Sequence, residues 1–295
     1  MSLVNKQFRT VLGKLFAAAL FAMLLCGSCV GVASASSLPT SNLAKGLAIS
    51  PPTASVKVSS GQQNTGQLTV TNNTPGALHI NMLVKQFSVE SYTYNYRFSP
   101  PHNNYIQFKN GDFSLAPGKS QVVIYNINVP AGSPPGGVYF MFLASTNLTH
   151  GNLQTTAQAG TLLYLTVNGK LSTSSQLLKS SISRFSFGSS INYRFDVLDT
   201  GNVYFFISPF GSLGSSWSQN QTAHIVMPGA ARQITGSINH PLLPGLYKAN
   251  FGYKTSTGQT ISKTERVFYV PPWFIAAVLI LLLAGNTLYM RKRKR

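Results

Sequence analysis

The side chains able to do chemistry are few and scattered in this 295-residue sequence. Five histidines, His79, His102, His150, His224 and His240, include no two at a metal-ligand spacing. The two cysteines, Cys26 and Cys29, lie near the N-terminus and leave the rest of the chain without a thiol. Five acids, Glu90, Asp112, Asp196, Asp199 and Glu265, are dispersed along the sequence and suggest no carboxylate pair for glycoside hydrolysis. No Gly-x-Ser-x-Gly elbow marks a serine nucleophile, and Gly132, Gly136 and Gly137 flank prolines instead of opening a phosphate-cradling helix. Asp199-Thr200-Gly201-Asn202 offers oxygen ligands to calcium, but no third carboxylate is near and a tight hairpin turn explains the same residues. The sequence therefore predicts no catalytic residues, no cofactor and no metal, and a protein that works by binding.

The elements available to position a binding surface read as strands. From Leu47 onward, short apolar-alternating runs are separated every eight to twelve residues by Gly, Pro, Asn, Ser and Thr, the pattern of an all-β sandwich. Leu68 and Val70 alternate with polar residues, as do Ile80, Met82 and Val84, and Val123, Tyr125, Ile127 and Val129. Val138 to Leu143 and Thr161 to Val167 are apolar almost throughout, as in strands covered on both faces.

Turn signals appear at Asn72-Asn73-Thr74-Pro75-Gly76 and Ala116-Pro117-Gly118. The second of these, with Gly137-Val138-Tyr139 after it, has a counterpart in Met227-Pro228-Gly229 and Gly245-Leu246-Tyr247. Leu68 to Gly76 and the strand after it likewise match Tyr193 to Asn202 and Val203 to Ile207. Two copies suggest two tandem sandwiches of similar topology, chance likeness between Pro-Gly turns being the alternative. The expected division is a first β-sandwich over 46–170 and a second over 171–270.

Both ends carry membrane signals. Lys6, Arg9 and Lys14 precede an apolar run from Leu15 to Val32, and Ala33-Ser34-Ala35 reads as a cleavage site, so 1–35 is expected to be a signal peptide followed by a linker over 36–45. An uncleaved signal anchor is the alternative. At the other end, residues 271–290 are expected to form a transmembrane helix opened by Pro271 and Pro272. Trp273 and Tyr289 would sit at its two interfaces, and Trp273 to Met290 carries no charge. At about 1.5 Å per residue that run covers roughly 27 Å, near the hydrocarbon thickness of a bilayer. The tail 291–295, Arg291-Lys292-Arg293-Lys294-Arg295, is a stop-transfer signal that stays cytoplasmic. This places a single-pass protein in the cell membrane with its bulk outside the cytoplasm.

The net charge of +18 has to be divided by location. Three cations belong to the signal and five to the tail, leaving 15 against five acids between them. These 15 are spread thinly, unlike the concentrated face of a nucleic-acid binder, and suit an anionic surface such as wall polymer or lipid headgroups. A chain with so few carboxylates is also expected to lose little stability between neutral pH and roughly pH 3. The absence of thiols outside the signal favours a prokaryotic envelope.

A candidate contact loop lies in Ser91 to Asn104, where Tyr92, Tyr94, Tyr96 and Arg97 combine the aromatic and guanidinium groups that give large contact area. The same tyrosines also fit the exposed face of an edge strand.

The order of signal, two sandwiches, one helix and a basic tail resembles the WxL-interacting protein family of bacterial cell surfaces. The residues that carry the likeness are Leu47-Ala48-Ile49-Ser50-Pro51, the strand Gly66 to Asn73, Phe113 to Gly118 and Gly136 to Phe142. The resemblance implies tandem immunoglobulin-like domains, the first associated with peptidoglycan and the second with surface partners. The scarcity of acids and the short second domain depart from it. The leading expectation is a non-catalytic surface protein binding wall polymer or another envelope protein. Alternatives are a membrane-tethered assembly factor that donates a sheet edge to client strands, which an exposed edge beside paired basic residues would favour, and an accessory subunit of an envelope complex.

Overall fold

Alternation of apolar and polar residues builds the first core strand by strand. The computed structural model describes residues 46–150, 153–188, 190–214, 216–218, 222–239 and 241–293; the expected signal peptide and linker, and Lys294 and Arg295, lie outside the described residues. The first ten strands are β1 (Leu47–Ser50), β2 (Thr53–Val58), β3 (Gln63–Asn72), β4 (Leu78–Val89), β5 (Tyr96–Ser99), β6 (Ile106–Phe108), β7 (Asp112–Leu115), β8 (Ser120–Asn128), β9 (Gly136–His150) and β10 (Leu153–Val167). They form two sheets, β1-β3-β8-β6 and β2-β10-β9-β4-β5, with β7 beside β4. Leu68, Val70, Ile80, Val123, Ile127, Phe140, Phe142 and Leu165 meet between the sheets. Residues of this kind contribute about 1.5–3 kcal/mol each on full burial, which is why the two-residue period fixes the register.

The second set repeats the first. Its strands are β11 (Ser175–Ile182), β12 (Phe185–Ser186), β13 (Ser190–Asp199), β14 (Phe205–Leu213), β15 (Ser216–Ser218), β16 (His224–Val226), β17 (Ala231–Asn239), β18 (Gly245–Thr255) and β19 (Thr260–Tyr269). The sheets are β11-β13-β17 and β12-β19-β18-β14-β15, with β16 on β14. Thus β13 with β17 repeats β3 with β8, and β19-β18-β14 repeats β10-β9-β4. In each copy a short early strand, β2 or β12, lies parallel to the last one. The fold is all-β, two tandem immunoglobulin-like sandwiches followed by one C-terminal helix.

The equivalence extends to single hydrogen bonds. Asn72 ends β3 with its carbonyl accepting from Gly118 N, and Asp199 ends β13 with its carbonyl accepting from Gly229 N. Asp199-Thr200-Gly201-Asn202 is therefore not a hairpin turn. It carries the chain from β13 in one sheet to β14 in the other, so the strands it joins are not paired with each other.

The helix α1 (Pro272–Arg293) follows β19 almost directly. The Pro271 carbonyl accepts from the backbone N–H of Phe274 and Ile275, while Pro272 takes the first helical position, where no N–H is needed. Arg291, Lys292 and Arg293 form its last turn, so the helix runs past Met290 into the basic tail. Their charges complement the carbonyl end of the helix dipole. No residue of α1 is buried, and the helix is long and apolar enough to cross a membrane.

Candidate binding surfaces

The structure divides the loop singled out by its tyrosines. Tyr92 and Tyr94 adopt left-handed backbone angles, φ 67° and 58°, which cost a non-glycine residue about 1–2 kcal/mol each. The contacts they make hold them there. Tyr92 N donates to Ala231 O at 2.7 Å, and Ala231 N donates to Ser91 Oγ at 3.1 Å. The Tyr94 hydroxyl accepts from Met227 N at 2.8 Å, and the Arg232 guanidinium lies 4.2 Å from the centre of its ring. Burial pushes the Tyr94 phenol up to about 12. Tyr94 is thus spent on joining the two sandwiches.

The other members lie outside that joint. Tyr96 begins β5, which pairs with β4, so the edge-strand reading holds for this part of the segment. Tyr96 stacks on Phe98 and both remain about half exposed. Arg97 is held by Glu90: Arg97 Nε donates to Glu90 Oε1 at 2.6 Å, and Nη2 makes the same ion pair. Thr93 Oγ1 also donates to Glu90, and this bond, with the Arg97 contact second, lowers the Glu90 carboxyl below its ordinary range.

Around Tyr94 lies a third apolar cluster. Phe87, Tyr139 and Tyr164 of the first sandwich pack with Met227 of the second, flanked by Tyr204 and Ile225. The Tyr164 and Tyr204 rings are 5.1 Å apart, Tyr204 N donates to the Tyr139 hydroxyl, and the Ser55 and Tyr204 hydroxyls are 3.2 Å apart. This explains why β9 and β10 are apolar on both faces: one side meets the core, the other meets the second sandwich. Asn202 pins the connection, with Nδ2 donating to Pro135 O and Lys170 O and Oδ1 accepting from Ser172 N. A Cβ on Gly136 would lie 2.8 Å from the Asn202 carbonyl, so this close approach requires glycine. Sequence reasoning did not find Tyr204, Met227, Arg232 and Asn202. Met227 and Asn202 read only as turn residues in their own segments, and all four acquire their roles from contacts between the sandwiches or in their connection.

An uncharged stretch of open edge lies on β10. It pairs with β9 along all fifteen residues, but β2 covers only Leu162 to Val167 on its other side. Leu162 N donates to Pro52 O across that side, and backbone groups alternate in direction along a strand. The N–H and C=O groups of Thr156, Gln158 and Gly160 therefore face the side that β2 leaves open. Edge strands are ordinarily guarded by charges, proline or a covering segment. Neither β9 nor β10 contains a Lys, Arg, Asp, Glu or Pro. Thr156 and Asn147, and Gln158 and Ser145, hydrogen-bond across the outer face where β4 pairing ends at Asn81. Of the paired basic residues that would mark an edge donor, Lys57 alone stands here, opposite Thr166.

Two further features involve charge. Asp199 is 1% exposed; its Oδ1 accepts from Gly201 N at 2.7 Å, while Oδ2 is buried without a partner. Burial pushes its carboxyl up to about 7. On the second sandwich a groove of about 940 Å³ is lined by hydroxyl, amide and basic groups, among them Ser181, Asn192, Arg194, Thr222 and His224, with no carboxylate in its wall. Burial, then the Arg232 charge, lowers the His224 imidazole. Among the described residues, no three of His, Cys, Asp and Glu come together as a metal site would need.

No protein-family model matches the sequence, and no curated protein matches it. Among solved structures the chain is similar to the periplasmic chaperone SfaE, at 14% identity, covering 76% of this chain and 100% of that one, with a TM-score of 0.35. It is also similar to the class 5 fimbriae chaperone CfaA, at 13% identity, 76% and 99% coverage and a TM-score of 0.40. A third is the E. coli chaperone DraB, at 14% identity, 75% and 96% coverage and a TM-score of 0.37. At these TM-scores the likeness does not decide what the chain does.

Proposed function

We propose that this chain is a non-catalytic, membrane-tethered assembly factor of a bacterial envelope, offering the open side of β10 to an extended segment of a partner protein. The observation that carries this reading is the unguarded edge at Thr156, Gln158 and Gly160 in a strand pair without a single formal charge. An added strand would gain backbone hydrogen bonds along the edge. Its alternate side chains would lie beside the small, half-buried Ala157 and Ala159. The helix α1 spans the cytoplasmic membrane in this reading and keeps both sandwiches outside. The resemblance to WxL-interacting proteins is compatible with such a role and stays a proposal carried by its few turns.

A photo-crosslinkable residue at Gln158 in the native envelope tests it. Adducts with a protein partner that are absent from the same residue at Thr264 of β19 are expected. Their absence at Gln158, or equal yields at both positions, would remove the edge from the proposal.

A second reading, binding of anionic wall polymer, rests on the carboxylate-free groove beside Arg194 and His224. Pull-down with purified cell wall should weaken in Arg194→Ala if it holds. The exposed Tyr92 and Tyr96 are tested in the same assay by alanine substitution. Tyr94 is left intact, because its loss would disturb the joint between the sandwiches.

A further inference from the structure

The second sandwich ends in a patch of exposed large apolar side chains gathered where α1 begins. In the β12-β19-β18 register Phe185 stands beside Phe268 and Phe268 beside Leu246, a row across three strands, with the Phe185 and Phe268 rings 6.1 Å apart. The loop before β18 adds Leu242 and Leu243, which are 79% and 63% exposed, and Phe187 follows β12. A cluster of this kind marks an interaction or membrane site.

Three observations favour a lipid surface. First, the patch is continuous with α1: Phe268 lies three positions before Pro271, and Trp273 Nε1 donates to Leu242 O at 3.1 Å. Second, two of the loop carbonyls are already satisfied. Leu243 O accepts from the Tyr247 hydroxyl at 2.8 Å, so both leucine carbonyls have donors while their side chains point away from the protein. Unsatisfied carbonyls would oppose transfer into a water-poor layer. Third, the outward face of β18 and β19 is graded. Leu246 and Phe268 come first, then Lys248 paired with Arg266, then Asn250 paired with Thr264. Two residues of strand put the cations about 7 Å beyond the apolar row, the spacing of headgroup phosphates above the edge of the hydrocarbon. Arg184 adjoins Phe185, and the only carboxylate on the two strands, Glu265, has the opposite parity.

We infer that this end of the second sandwich is seated in the outer face of the bilayer. Phe185, Leu242, Leu243, Leu246 and Phe268 enter the headgroup–acyl boundary, and Lys248 and Arg266 meet anionic phosphates. The inference rests on α1 crossing the membrane and adds that the folded domain itself dips into it, which fixes the orientation of both sandwiches instead of leaving them to swivel on a tether.

The test is site-directed spin labelling of the full chain, carrying Cys26→Ser and Cys29→Ser, reconstituted in vesicles of phosphatidylglycerol and phosphatidylcholine. Labels are placed one at a time on Leu243→Cys, Leu246→Cys, Asn250→Cys and Leu281→Cys. Collision with oxygen, which partitions into lipid, is compared with collision with a water-soluble nickel chelate. Labels at Leu243→Cys and Leu246→Cys are expected to favour oxygen several-fold more than the label at Asn250→Cys. With Lys248→Glu and Arg266→Glu together, the label at Leu246→Cys should shift toward nickel on these vesicles but not on pure phosphatidylcholine. Nickel access at Leu243→Cys equal to that at Asn250→Cys, with Leu281→Cys still in lipid, overturns the seating and leaves the spanning helix standing. Nickel access at Leu281→Cys overturns both. A label at Leu243→Cys shielded from both reagents shows that protein, such as a second copy of the chain, covers the patch, and also overturns the seating.

Discussion

The two sandwiches share their strand order and differ at equivalent positions. Their last strands occupy the same place, beside β9 in one copy and beside β18 in the other, and each is only partly covered by a short parallel strand. The residues of β19 past its β12 partners include Lys263, Glu265 and Arg266, the charges that discourage edge pairing. The corresponding run of β10, Leu153 to Thr161, is uncharged. The strands opposite show the reverse contrast. Asn72, which ends β3, is fully bonded: Nδ2 donates to Gly76 O and Leu115 O, and Oδ1 accepts from Thr74 N and Thr74 Oγ1. Asp199 fills the same place in the second copy and leaves an oxygen unpaired. The repeated fold thus has an uncharged open edge in the first sandwich and a buried, half-bonded acid in the second.

The largest expected effect separates the two edges. Gln158→Pro removes an N–H on the open side of β10 without touching the backbone bonds to β9, at the loss of one exposed side-chain bond to Ser145, and proline is tolerated on a strand edge. Co-purification of the partner that crosslinking identifies should be lost while the melting temperature barely moves. Thr264→Pro in β19 should leave capture unchanged. If both substitutions abolish capture, or neither does, the difference between the edges has no functional meaning.

The next contrast is between Asn72 and Asp199. A folded-state carboxyl raised to about 7 from an ordinary 3.8 binds a proton that the unfolded chain releases, so stability is full below about pH 4, falls as pH rises toward 7 and is level above. The sequence alone predicts a stability curve flat through this range; the burial of Asp199 predicts one that rises in acid. Asp199→Asn, which installs the residue of the first sandwich, should remove that slope and raise stability at neutral pH by up to about 4 kcal/mol. Thermal unfolding of the full chain in detergent between pH 4 and pH 8 checks it. Parallel curves for the two proteins would show that Asp199 is not protonated by the fold.

Local patterns made the strands legible, and long-range pairing hid the rest. Alternation at Leu68 and Val70 or at Val123 and Ile127 reports burial directly, because each strand faces one core. The repeated Pro-Gly turns were readable because the same backbone geometry selects the same residues in both copies. The helix was readable from its uncharged length. The tyrosines of Ser91 to Arg97 stand out in the sequence, but whether the Tyr94 ring meets solvent or a neighbouring domain depends on Met227 and Arg232, more than 130 residues away. The turn after Asp199 looked like a hairpin because a tight turn uses the same residues whether it joins paired strands or crosses between sheets. The open edge left one trace in the sequence, an uncharged and proline-free run on either side of residues 151–152, much longer than an ordinary strand.

A smaller effect asks whether the sandwiches act as one body. Tyr94→Phe keeps the ring under Arg232 and leaves the Met227 N–H buried without its acceptor, at a cost of about 1–3 kcal/mol. Because that bond joins the two units, a single calorimetric transition should separate into two, with the first sandwich and the second melting apart. A uniform shift with one transition retained would place the bond's contribution inside one sandwich and not between them.

The smallest expected effect comes from Glu90, the acid of opposite sign. Its carboxylate accepts from Thr93 and Arg97, which hold its titration below the ordinary 4.5. A group lowered in this way stabilises the fold above its unfolded value and loses that contribution as pH falls through the folded one. It therefore works against the rise that Asp199 gives in acid. Glu90 is screened by solvent, as exposed ion pairs are, so its contribution is slight. Glu90→Gln should leave the neutral melting temperature almost unchanged and remove only a shallow downturn below pH 4.5. It is best read in the Asp199→Asn background, where the larger slope is gone. A downturn that persists there would assign the acid limb to a group other than Glu90.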